Sequence, residues 1–517
     1  MSMLNSLLSF KTIKPSYLPR FTPKQLLLLL LLLLEAQFVT QLTPVTAQTE
    51  TPTTVEASPE TTPTICPADL QTAIDAIATR PEFDYARWGI LIQPLSSTTP
   101  LYSLDRDRYF IPASNLKLFT TAAALSQLGA DFRIRTSVYG TPSNGTVTQL
   151  RVVGRGDPSL KTDQLKDLAQ QLQRRGIRRV EQLIVEDRYF SEPKVNPTWE
   201  WSDIQFYYGT AVNSLILNEN AVLLTLSPQN VGQPLNVTWA DPIAAKQWQI
   251  ENQTVTAEAE SPESINISGV LGKPLLRIRG QLAADAGLWL TAVAIPDPAN
   301  YFLEHFRLAL FDAGIQVEQG LVMTDSNTQE ETELAAVESP PLRELITETN
   351  QQSNNLYAEA LLRSLGVTDK ETNESTATAG REQIRTILTE LGVEPESYVL
   401  ADGSGLSRHN LVSPTAIVQL LQAIAQTPMA QSYRNSLAVA GVEGTLQQRF
   451  ENTPAQSRVY AKTGTMTGVS GLSGYVYVPD YQPLVFSIMV NQSNQSVDTI
   501  RQAIDEIVVL LTRLRSC

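Results

Sequence analysis

The sequence predicts an α+β fold in which a domain of helices and a sheet is interrupted by a large strand-rich insertion. The chain has 517 residues, which is too many for one hydrophobic core, so at least two domains are expected. Helical and strand patterns occur together near both ends of the chain, whereas strand patterns dominate its middle. We therefore assign residues 66–136 and 341–517 to one domain and residues 137–340 to the insertion.

The first part of the interrupted domain contains a helix, a strand and a second, buried helix. Leu70 and Ile74 begin a series of apolar residues at helical spacing, and residues 88–92 have the apolar composition of a strand. The second helix begins near Ser114 and is rich in alanine and leucine. We expect it to end at Gly129, because glycine is common directly after the last turn of a helix.

The inserted region contains strand patterns at 147–153, 222–226 and 275–280, with one amphipathic helix over 299–313. After residue 340 the helical patterns return, and a sheet between helices closes the chain. One interrupted domain is therefore the economical explanation. The closing elements are helices over 342–349, 356–365 and 497–514, and strands over 460–465, 474–478 and 484–490.

Residues 1–47 have the features of a secretory signal peptide. Basic residues precede an unbroken run of nine leucines, and the small residues at 45–47 suit a signal peptidase. The run is too short to span a bilayer comfortably, and an uncleaved membrane anchor is the alternative. Residues 48–65 are rich in Thr, Pro and Glu and predict a disordered linker. The rest of the chain is then expected in the periplasm or elsewhere outside the cytoplasm, with membrane contact only through an uncleaved signal segment.

Charge and histidine content exclude several classes of function. The formal net charge of −14 repels phosphate backbones, so no nucleic-acid partner is expected. His305 and His409 are the only histidines, and the sequence has no cluster of Cys and His that would predict a zinc site. Neither histidine lies near a Gly-x-Ser-x-Gly sequence, which disfavours a Ser-His-Asp triad. No metal and no organic cofactor is expected.

A Ser-x-x-Lys sequence at Ser114 and Lys117 offers a serine nucleophile with a lysine base. Residues three apart share one face of a helix, so the Lys117 amine can reach the Ser114 hydroxyl. The amine must be neutral to accept a proton, which requires a pKa well below its usual value of about 10.4, through burial or a nearby cation. Taken alone the motif is common, and a helix start followed by a surface lysine is the simpler explanation.

The second motif, Ser353-x-Asn355, lies between two predicted helices. Ser353 could relay a proton toward a leaving amine. The Asn355 amide could hold both Lys117 and the peptide group of a substrate. A turn that links two helices is the alternative explanation of this tripeptide.

The third motif, Lys462-Thr463-Gly464, lies on a predicted strand. Lys462 would add positive charge that favours a neutral Lys117 and attracts a substrate carboxylate. Gly464 would let a substrate strand lie against the sheet edge, since a side chain there would block it. A solvated hairpin would explain this motif alone, but the order Ser-x-x-Lys, Ser-x-Asn, Lys-Thr-Gly is the signature of penicillin-interacting serine enzymes.

With these motifs the chain resembles the D-Ala-D-Ala carboxypeptidase/endopeptidase family S13, the class C low-molecular-mass penicillin-binding proteins. The resemblance implies a DD-peptidase/β-lactamase-like transpeptidase domain, an antiparallel sheet flanked by helices, with the insertion after the nucleophile helix. It also implies action on peptidoglycan stem peptides and cross-links, and covalent inhibition by β-lactams. It runs from about Pro67 to the C-terminus and rests further on the segments PASNLKLFTTAAAL, VVGRGDPSL, SNNLYAEALLRSLG, ADGSGLSRHNLVSP and VAGVEGTLQQRF.

The resemblance further implies a role for each motif residue. Ser114 would attack the carbonyl between two D-alanyl residues and form an acyl-enzyme, with Lys117 as the base. The backbone N–H groups of Ser114 and Thr465 would form the oxyanion hole, and the hydroxyls of Thr463 and Thr465 would hold the substrate carboxylate. Residues 402–405 (Asp-Gly-Ser-Gly) match another family block. We interpret them as a glycine-rich turn at the rim of the site without a catalytic role.

Cys66 and Cys517 are the only cysteines, and they lie near opposite ends of the exported chain. In an oxidising compartment they could pair, or they could remain as two thiols near frayed ends. The resemblance implies that the first and last helices of the main domain lie side by side. It therefore favours a disulfide between these two residues.

Two other functions fit part of the sequence. A serine β-lactamase would share Ser114, Lys117 and Lys462, but it needs a base for fast deacylation, and no candidate for that base is evident. A non-catalytic wall-binding or penicillin-sensing module would use the insertion for binding, and the intact motifs argue against it. We predict a serine-type D-Ala-D-Ala carboxypeptidase that also acts as an endopeptidase on cross-links.

Overall fold

The computed structural model describes residues 64–324, 332–367 and 374–517. The predicted signal segment and nearly all of the predicted linker lie outside these ranges. No helix within the described ranges combines the length and the apolar character that a membrane span needs. The α-helices of the described residues are α1 Leu70–Ala78, α2 Lys117–Leu128, α3 Thr162–Arg174, α4 Pro242–Ala245, α5 Pro298–Asp312, α6 Leu342–Gln351, α7 Asn355–Gly366, α8 Thr376–Glu390, α9 Pro414–Ala425, α10 Ala430–Asn435 and α11 Val497–Leu511.

The strands of the same residues are short to medium in length. They are β1 Arg87–Pro94, β2 Tyr102–Leu104, β3 Arg135–Gly140, β4 Pro142–Ser143, β5 Thr146–Val153, β6 Arg179–Glu186, β7 Ala221–Ser227, β8 Asn236–Trp239, β9 Gln249–Ala257, β10 Ser264–Val270, β11 Lys273–Ala283, β12 Trp289–Ala294, β13 Gln316–Met323, β14 Thr332–Glu338, β15 Tyr398–Val399, β16 Leu411–Val412, β17 Ala438–Val439, β18 Val459–Met466, β19 Val469–Val476 and β20 Leu484–Asn491.

A six-stranded antiparallel sheet in the order β17-β18-β19-β20-β1-β2 unites the first and last parts of the chain. Strand β1 pairs with β20 along its whole length, from Arg87 opposite Asn491 to Pro94 opposite Leu484. Residues far apart in sequence therefore share one sheet, as an interrupted domain requires. The predicted antiparallel sheet flanked by helices is confirmed.

Helices cover both faces of this sheet. Leu91 and Met489 face a core shared with α2, α6, α7, α8 and α9. Ile90 and Ile488, the neighbouring residues on the same strands, face a second core shared with α1 and α11. This alternation follows from the period of two in a strand, and burial on both faces explains why β19 and β20 are apolar or small throughout.

Strand β19 begins at Val469 rather than at residue 474, where its pattern predicts the start. The part of the strand before residue 474 contains Ser470, Gly471 and Ser473, which do not have the composition of a typical strand. A Cβ at Gly471 would lie 2.7 Å from the Asn115 amide nitrogen. Small residues are therefore required here because the turn that carries Ser114 packs directly on the strand.

A second sheet, in the order β13-β6-β5-β3-β14, lies within the predicted insertion. Strands β5, β6 and β13 are parallel to one another. The β5–β6 connection contains α3, a helix beyond those predicted, whose Leu165, Leu168 and Leu172 are buried along one face. The predicted helix over 299–313 is α5, which connects toward β13 in the same way.

Residues 223–240 and 248–291 form a compact unit of their own. Within it β11 pairs with β10 in antiparallel and with β9 in parallel fashion, and Leu276 and Ile278 are buried while Arg279 is exposed, as their alternation predicts. The described residues of 64–222, 241–247 and 292–517 form the other unit, which contains all of the site described below. The insertion boundaries at 137 and 340 stay a prediction.

The two ends of the described chain lie together. Ile65, the last residue of the predicted linker, forms a parallel bridge with Leu514, and its N–H donates to the Arg513 carbonyl at 3.0 Å. Beside this bridge Cys66 and Cys517 form a disulfide, with their Cα atoms 5.8 Å apart. Helices α1 and α11 pack against each other and bring the two cysteines together.

Candidate active site

Ser114 lies in a 3₁₀ turn, Ala113–Leu116, that leads directly into α2. The predicted helix therefore starts as a tighter turn, and its α-helical part begins at Lys117. In a 3₁₀ turn the side chains at positions i and i+3 are almost eclipsed, which brings these two residues close. The Lys117 Nζ lies 2.9 Å from the Ser114 Oγ. Lys117 is fully buried, whereas Ser114 is half-buried and accessible to a ligand.

Three oxygens surround the Lys117 amine. The Asn355 Oδ1 lies 2.6 Å from Nζ, the Ser404 carbonyl 2.7 Å and the Ser114 Oγ 2.9 Å. Amide and carbonyl oxygens only accept hydrogen bonds, so they take the two N–H groups of a neutral amine. The nitrogen lone pair is then directed at the Ser114 hydroxyl. The arrangement suits transfer of the hydroxyl proton to Lys117.

Burial lowers the pKa of Lys117 to about 7, while the carboxylates of Asp402 and Glu359 act in the opposite direction. A buried ammonium loses the hydration that stabilises its charge, so the neutral form becomes accessible near neutral pH. From the sequence, either burial of Lys117 or a second cation nearby was predicted to lower this pKa. In this structure burial causes the low pKa of Lys117. A contribution from the positive charge of Lys462 stays a prediction.

The Ser353–Asn355 turn links α6 to α7, as predicted. Asn355 is the first residue of α7, and its amide nitrogen donates to the Tyr208 carbonyl at 2.8 Å. This bond fixes which end of the amide faces Lys117. Ser353 has a φ of 60°, a left-handed conformation that is unusual for serine, and Asn354 caps α7 by accepting from the Tyr357 N–H.

Lys462 lies on β18 and is fully buried. Its Nζ donates to the Ser353 Oγ at 2.9 Å and to the Thr463 carbonyl at 3.0 Å. The structure thus contains two serine–lysine pairs, one around Ser114 and one around Ser353. All three predicted motifs come together in one site.

The remaining predicted residues lie on the same strand. The Thr463 hydroxyl bonds to the Thr445 hydroxyl at 2.9 Å, and the exposed Thr465 accepts from the Arg501 Nη2 at 3.1 Å. A Cβ at Gly464 would lie 2.5 Å from the Pro112 carbonyl. Glycine is therefore required because the turn that carries Ser114 lies against the strand, which is a different reason from the predicted approach of a substrate.

Two buried carboxylates contribute to the site without having been predicted. Glu359 follows Asn355 by one helical turn, and its Oε1 accepts from the N–H groups of Gly403 and Ser404 at 2.8 Å each. It thereby holds the two peptides that directly precede the Ser404 carbonyl, which binds Lys117. Burial raises the pKa of Glu359 to about 7. The i+4 spacing from Asn355 was the sequence signal for this residue.

Asp402 organises the glycine-rich turn from its centre. Its Oδ1 accepts from the Gly405 N–H at 2.7 Å, and its Oδ2 accepts from the Ser407 N–H at 2.6 Å and the Trp199 indole at 2.9 Å. The predicted glycine-rich turn over residues 402–405 agrees with the shape of this segment in the structure. The turn also supplies the Ser404 carbonyl to Lys117, which residue types alone cannot indicate.

Several known proteins are similar to this chain over most of its length. Penicillin-sensitive carboxypeptidase A from Dictyostelium discoideum is 32% identical over 464 residues, which cover 83% of this chain and 87% of that protein. A D-alanyl-D-alanine carboxypeptidase from Actinomadura sp. (strain R39) is 34% identical over 441 residues, 82% of this chain and 81% of that protein.

A solved structure and a family profile also match this chain. The crystal structure of penicillin binding protein 4 from Haemophilus influenzae matches with a TM-score of 0.74 at 24% identity, and covers 86% of this chain and 98% of that one. It supports the predicted fold class. The profile of the D-Ala-D-Ala carboxypeptidase 3 (S13) family matches residues 70–512. The predicted resemblance is confirmed, and the chain belongs to the D-Ala-D-Ala carboxypeptidase 3 (S13) family.

Proposed function

We propose that this chain is an exported serine D-Ala-D-Ala carboxypeptidase that works through an acyl-enzyme on Ser114 and also cleaves peptidoglycan cross-links. The observation that carries the proposal is the buried Lys117 amine, 2.9 Å from the Ser114 Oγ, with its other two contacts made by obligate acceptors. Family membership and the relatives named as carboxypeptidases support the same reaction. Export rests on the signal-peptide features of residues 1–47.

In the first step the Ser114 Oγ attacks the carbonyl carbon of the penultimate D-alanine, and its proton passes to Lys117. The negative charge that develops on the carbonyl oxygen is received by the backbone N–H groups of Ser114 and Thr465. The turn that carries Ser114 lies directly against the strand that carries Thr465, since a Cβ added at Gly464 would lie only 2.5 Å from the Pro112 carbonyl, and this supports the assignment.

In the second step the C–N bond breaks and the leaving amine takes a proton from Ser353. The Lys462 ammonium, 2.9 Å from the Ser353 Oγ, replaces that proton. The proton gained by Lys117 balances the one lost here, so the acyl-enzyme forms with no net uptake. Water then attacks the ester carbonyl and gives one proton through Ser353 back to the neutral Lys462. The C–O bond breaks, the Ser114 oxygen takes the proton held by Lys117, and both lysines return to their starting states.

The terminal carboxylate of the substrate is recognised on β18. Lys462 supplies positive charge, and the hydroxyls of Thr463 and Thr465 supply hydrogen bonds. The carboxypeptidase reaction releases D-alanine, and the endopeptidase reaction releases the amine of a cross-linked stem peptide. The two reactions differ in this leaving amine, while the carbonyl that Ser114 attacks is the same. One site therefore serves both the carboxypeptidase and the endopeptidase reaction.

β-Lactams acylate the same serine in this proposal. Their ring amide presents a carbonyl next to a carboxylate, as the substrate does, and acylation opens the ring without releasing a leaving group. The relative from Dictyostelium discoideum is named for its sensitivity to penicillin, which supports this expectation.

The test is the formation of a covalent adduct with a fluorescent penicillin, measured by intact mass. We expect one adduct per molecule in the wild type and none in Ser114→Ala. Ser126→Ala, on the same helix, is the matched control and should react as the wild type does. Release of D-alanine from a peptide ending in D-Ala-D-Ala should be lost in the Ser114→Ala variant alone. A folded wild type that forms no adduct would overturn the proposal and favour a non-catalytic binding module.

A further inference from the structure

We propose that Glu219 is a positioning residue for the acylation reaction, which it supports by holding Asn354 in the Ser353–Asn355 turn. The inference rests on the proposed function. It gives part of the predicted insertion a role in catalysis, because residue 219 lies within 137–340. A strained turn places Glu219 in contact with the middle residue of the Ser353–Asn355 motif.

The strained turn consists of Asn218, Glu219 and Asn220. Their φ angles are 51°, 60° and 50°, all in the left-handed region. Asparagine adopts this conformation more readily than most residues, whereas glutamate does so rarely. Such a conformation persists only where the surrounding structure enforces it, and it often marks a functional position.

The two asparagines anchor the turn on both sides of Glu219. The Asn218 amide nitrogen donates to the Thr162 hydroxyl at 2.8 Å and to the Tyr301 hydroxyl at 3.1 Å. The Asn220 amide nitrogen donates to the Asn213 Oδ1 at 2.9 Å, and Asn220 is fully buried. The backbone is therefore fixed, and Glu219 projects from it in one direction.

The Glu219 carboxylate divides its oxygens between two partners. Oε1 accepts from the Lys161 Nζ at 2.6 Å, and Oε2 accepts from the Asn354 Nδ2 at 2.9 Å. The Asn354 Oδ1 accepts from the Tyr357 N–H and so caps α7. With its nitrogen bound by Glu219 and its oxygen bound by the helix, the Asn354 amide has a single orientation.

This orientation matters because Asn354 lies between two residues of the proposed mechanism. Ser353 bonds Lys462, and Asn355 bonds Lys117 at 2.6 Å. Release of the Asn354 amide would loosen the start of α7 and displace both neighbours. The Glu219 charge also acts on Glu348, Tyr207 and Tyr357, and the Glu348 carboxyl group makes a further hydrogen bond to the Asn354 side chain.

The first experiment uses Glu219→Gly, because glycine accepts a positive φ and this variant relieves strain while it removes the carboxylate. We expect a Tm no lower than that of the wild type and acylation by a fluorescent penicillin that is about tenfold slower, since small displacements of reacting groups have large effects on rate. Lys161→Met keeps the Asn354 contact and should acylate within about twofold of the wild type. Wild-type kinetics in Glu219→Gly, or an equal loss in Lys161→Met, would overturn the proposal.

A double-mutant cycle then tests whether Glu219 acts through Asn354. Asn354→Ala should slow acylation, and the Glu219→Gly/Asn354→Ala double variant should be no slower than Asn354→Ala alone. Multiplicative losses would mean that Glu219 acts by another route, and they would overturn the inference. A wild type without any Ser114 adduct would instead refute the proposed function, so the two failures are distinguishable.

Discussion

At the scale of single residues, Lys117 shows how a fold converts a side chain that is normally a surface cation into a base. The residue is fully buried, and the compensating carboxylates of Asp402 and Glu359 are occupied by backbone N–H groups of the neighbouring turn. Burial therefore dominates, and the pKa falls to about 7. The charged and neutral forms then exchange near physiological pH, which is the condition for efficient proton transfer.

Acylation of Ser114 should increase with pH through about pH 7, because the neutral Lys117 amine is the reactive form. For a pKa of about 7 the neutral fraction rises about tenfold between pH 6 and pH 8. Stopped-flow measurement of the second-order acylation rate with a fluorescent penicillin would reveal this profile. A flat rate between pH 6 and pH 9 would contradict the assignment of Lys117 as the base.

Lys117→Arg is the matched variant for this measurement. The guanidinium keeps a positive charge and stays protonated at accessible pH. If the amine acts as a base, acylation should fall by a factor on the order of 10² to 10⁴.

Residue types alone were sufficient to predict that the side chains of the three motifs meet in one site. Ser114, Lys117, Ser353, Asn355 and Lys462 lie where the three motifs place them. The contributors that were not predicted are the buried carboxylates of Glu359 and Asp402, and backbone groups such as the Ser404 carbonyl at Lys117 and the Tyr208 carbonyl at Asn355. A backbone carbonyl has the same chemistry at every position, so a sequence pattern cannot indicate which one will face the site.

At the scale of elements, the site depends on how closely the turn carrying Ser114 approaches the glycine-rich turn. A Cβ at Gly405 would lie 1.9 Å from the Ala113 carbonyl, and the φ of Gly405 is +83°. Both the conformation and the space require glycine there. The two turns must therefore form together, and the position of Ser114 depends on a segment almost three hundred residues away in the chain.

Gly405→Ala should destabilise the protein by about 3 kcal/mol and slow acylation more than about tenfold, because it combines a strained φ with a clash against Ala113. Gly314→Ala is the control, since Gly314 has a φ of +76° but nothing within 4 Å of its added Cβ. That variant should lose only about 1 kcal/mol and retain its acylation rate. Urea unfolding and penicillin acylation of both variants would decide the matter, and equal losses would contradict the argument.

The elements of the sheet–helix domain could be predicted more completely than those of the insertion. The periodic apolar residues of α1 and α11 leave little ambiguity. The parallel pairing of β5 with β6 could not be predicted, because it depends on the course of the connection through α3. The helix itself has a clear amphipathic pattern, with Leu165, Leu168 and Leu172 at helical spacing, and the prediction missed it.

At the scale of the whole molecule, the disulfide between Cys66 and Cys517 closes a loop that contains nearly all of the described chain. In the chain-entropy description a cross-link across so long a loop restricts the unfolded state strongly. The bridge between Ile65 and Leu514 lies beside the disulfide, and the Cα atoms of the two cysteines are 5.8 Å apart, within the range that a disulfide spans.

Cys66→Ser/Cys517→Ser should therefore lower the free energy of unfolding by about 2–5 kcal/mol while the penicillin adduct still forms. Urea unfolding of the oxidised wild type and of the double variant would measure the difference. Peptide mapping of the wild type should recover the two cysteines as one linked pair. Two free thiols in protein purified without a reductant would refute the disulfide.

The joined ends also change what a single break in the backbone would do. Because Cys66 and Cys517 are linked, the chain between them is a covalent ring. A protease that cuts one surface loop opens the ring but releases no fragment, and the cut ends stay within the same folded body. The enzyme would therefore keep its assembled site after such a nick.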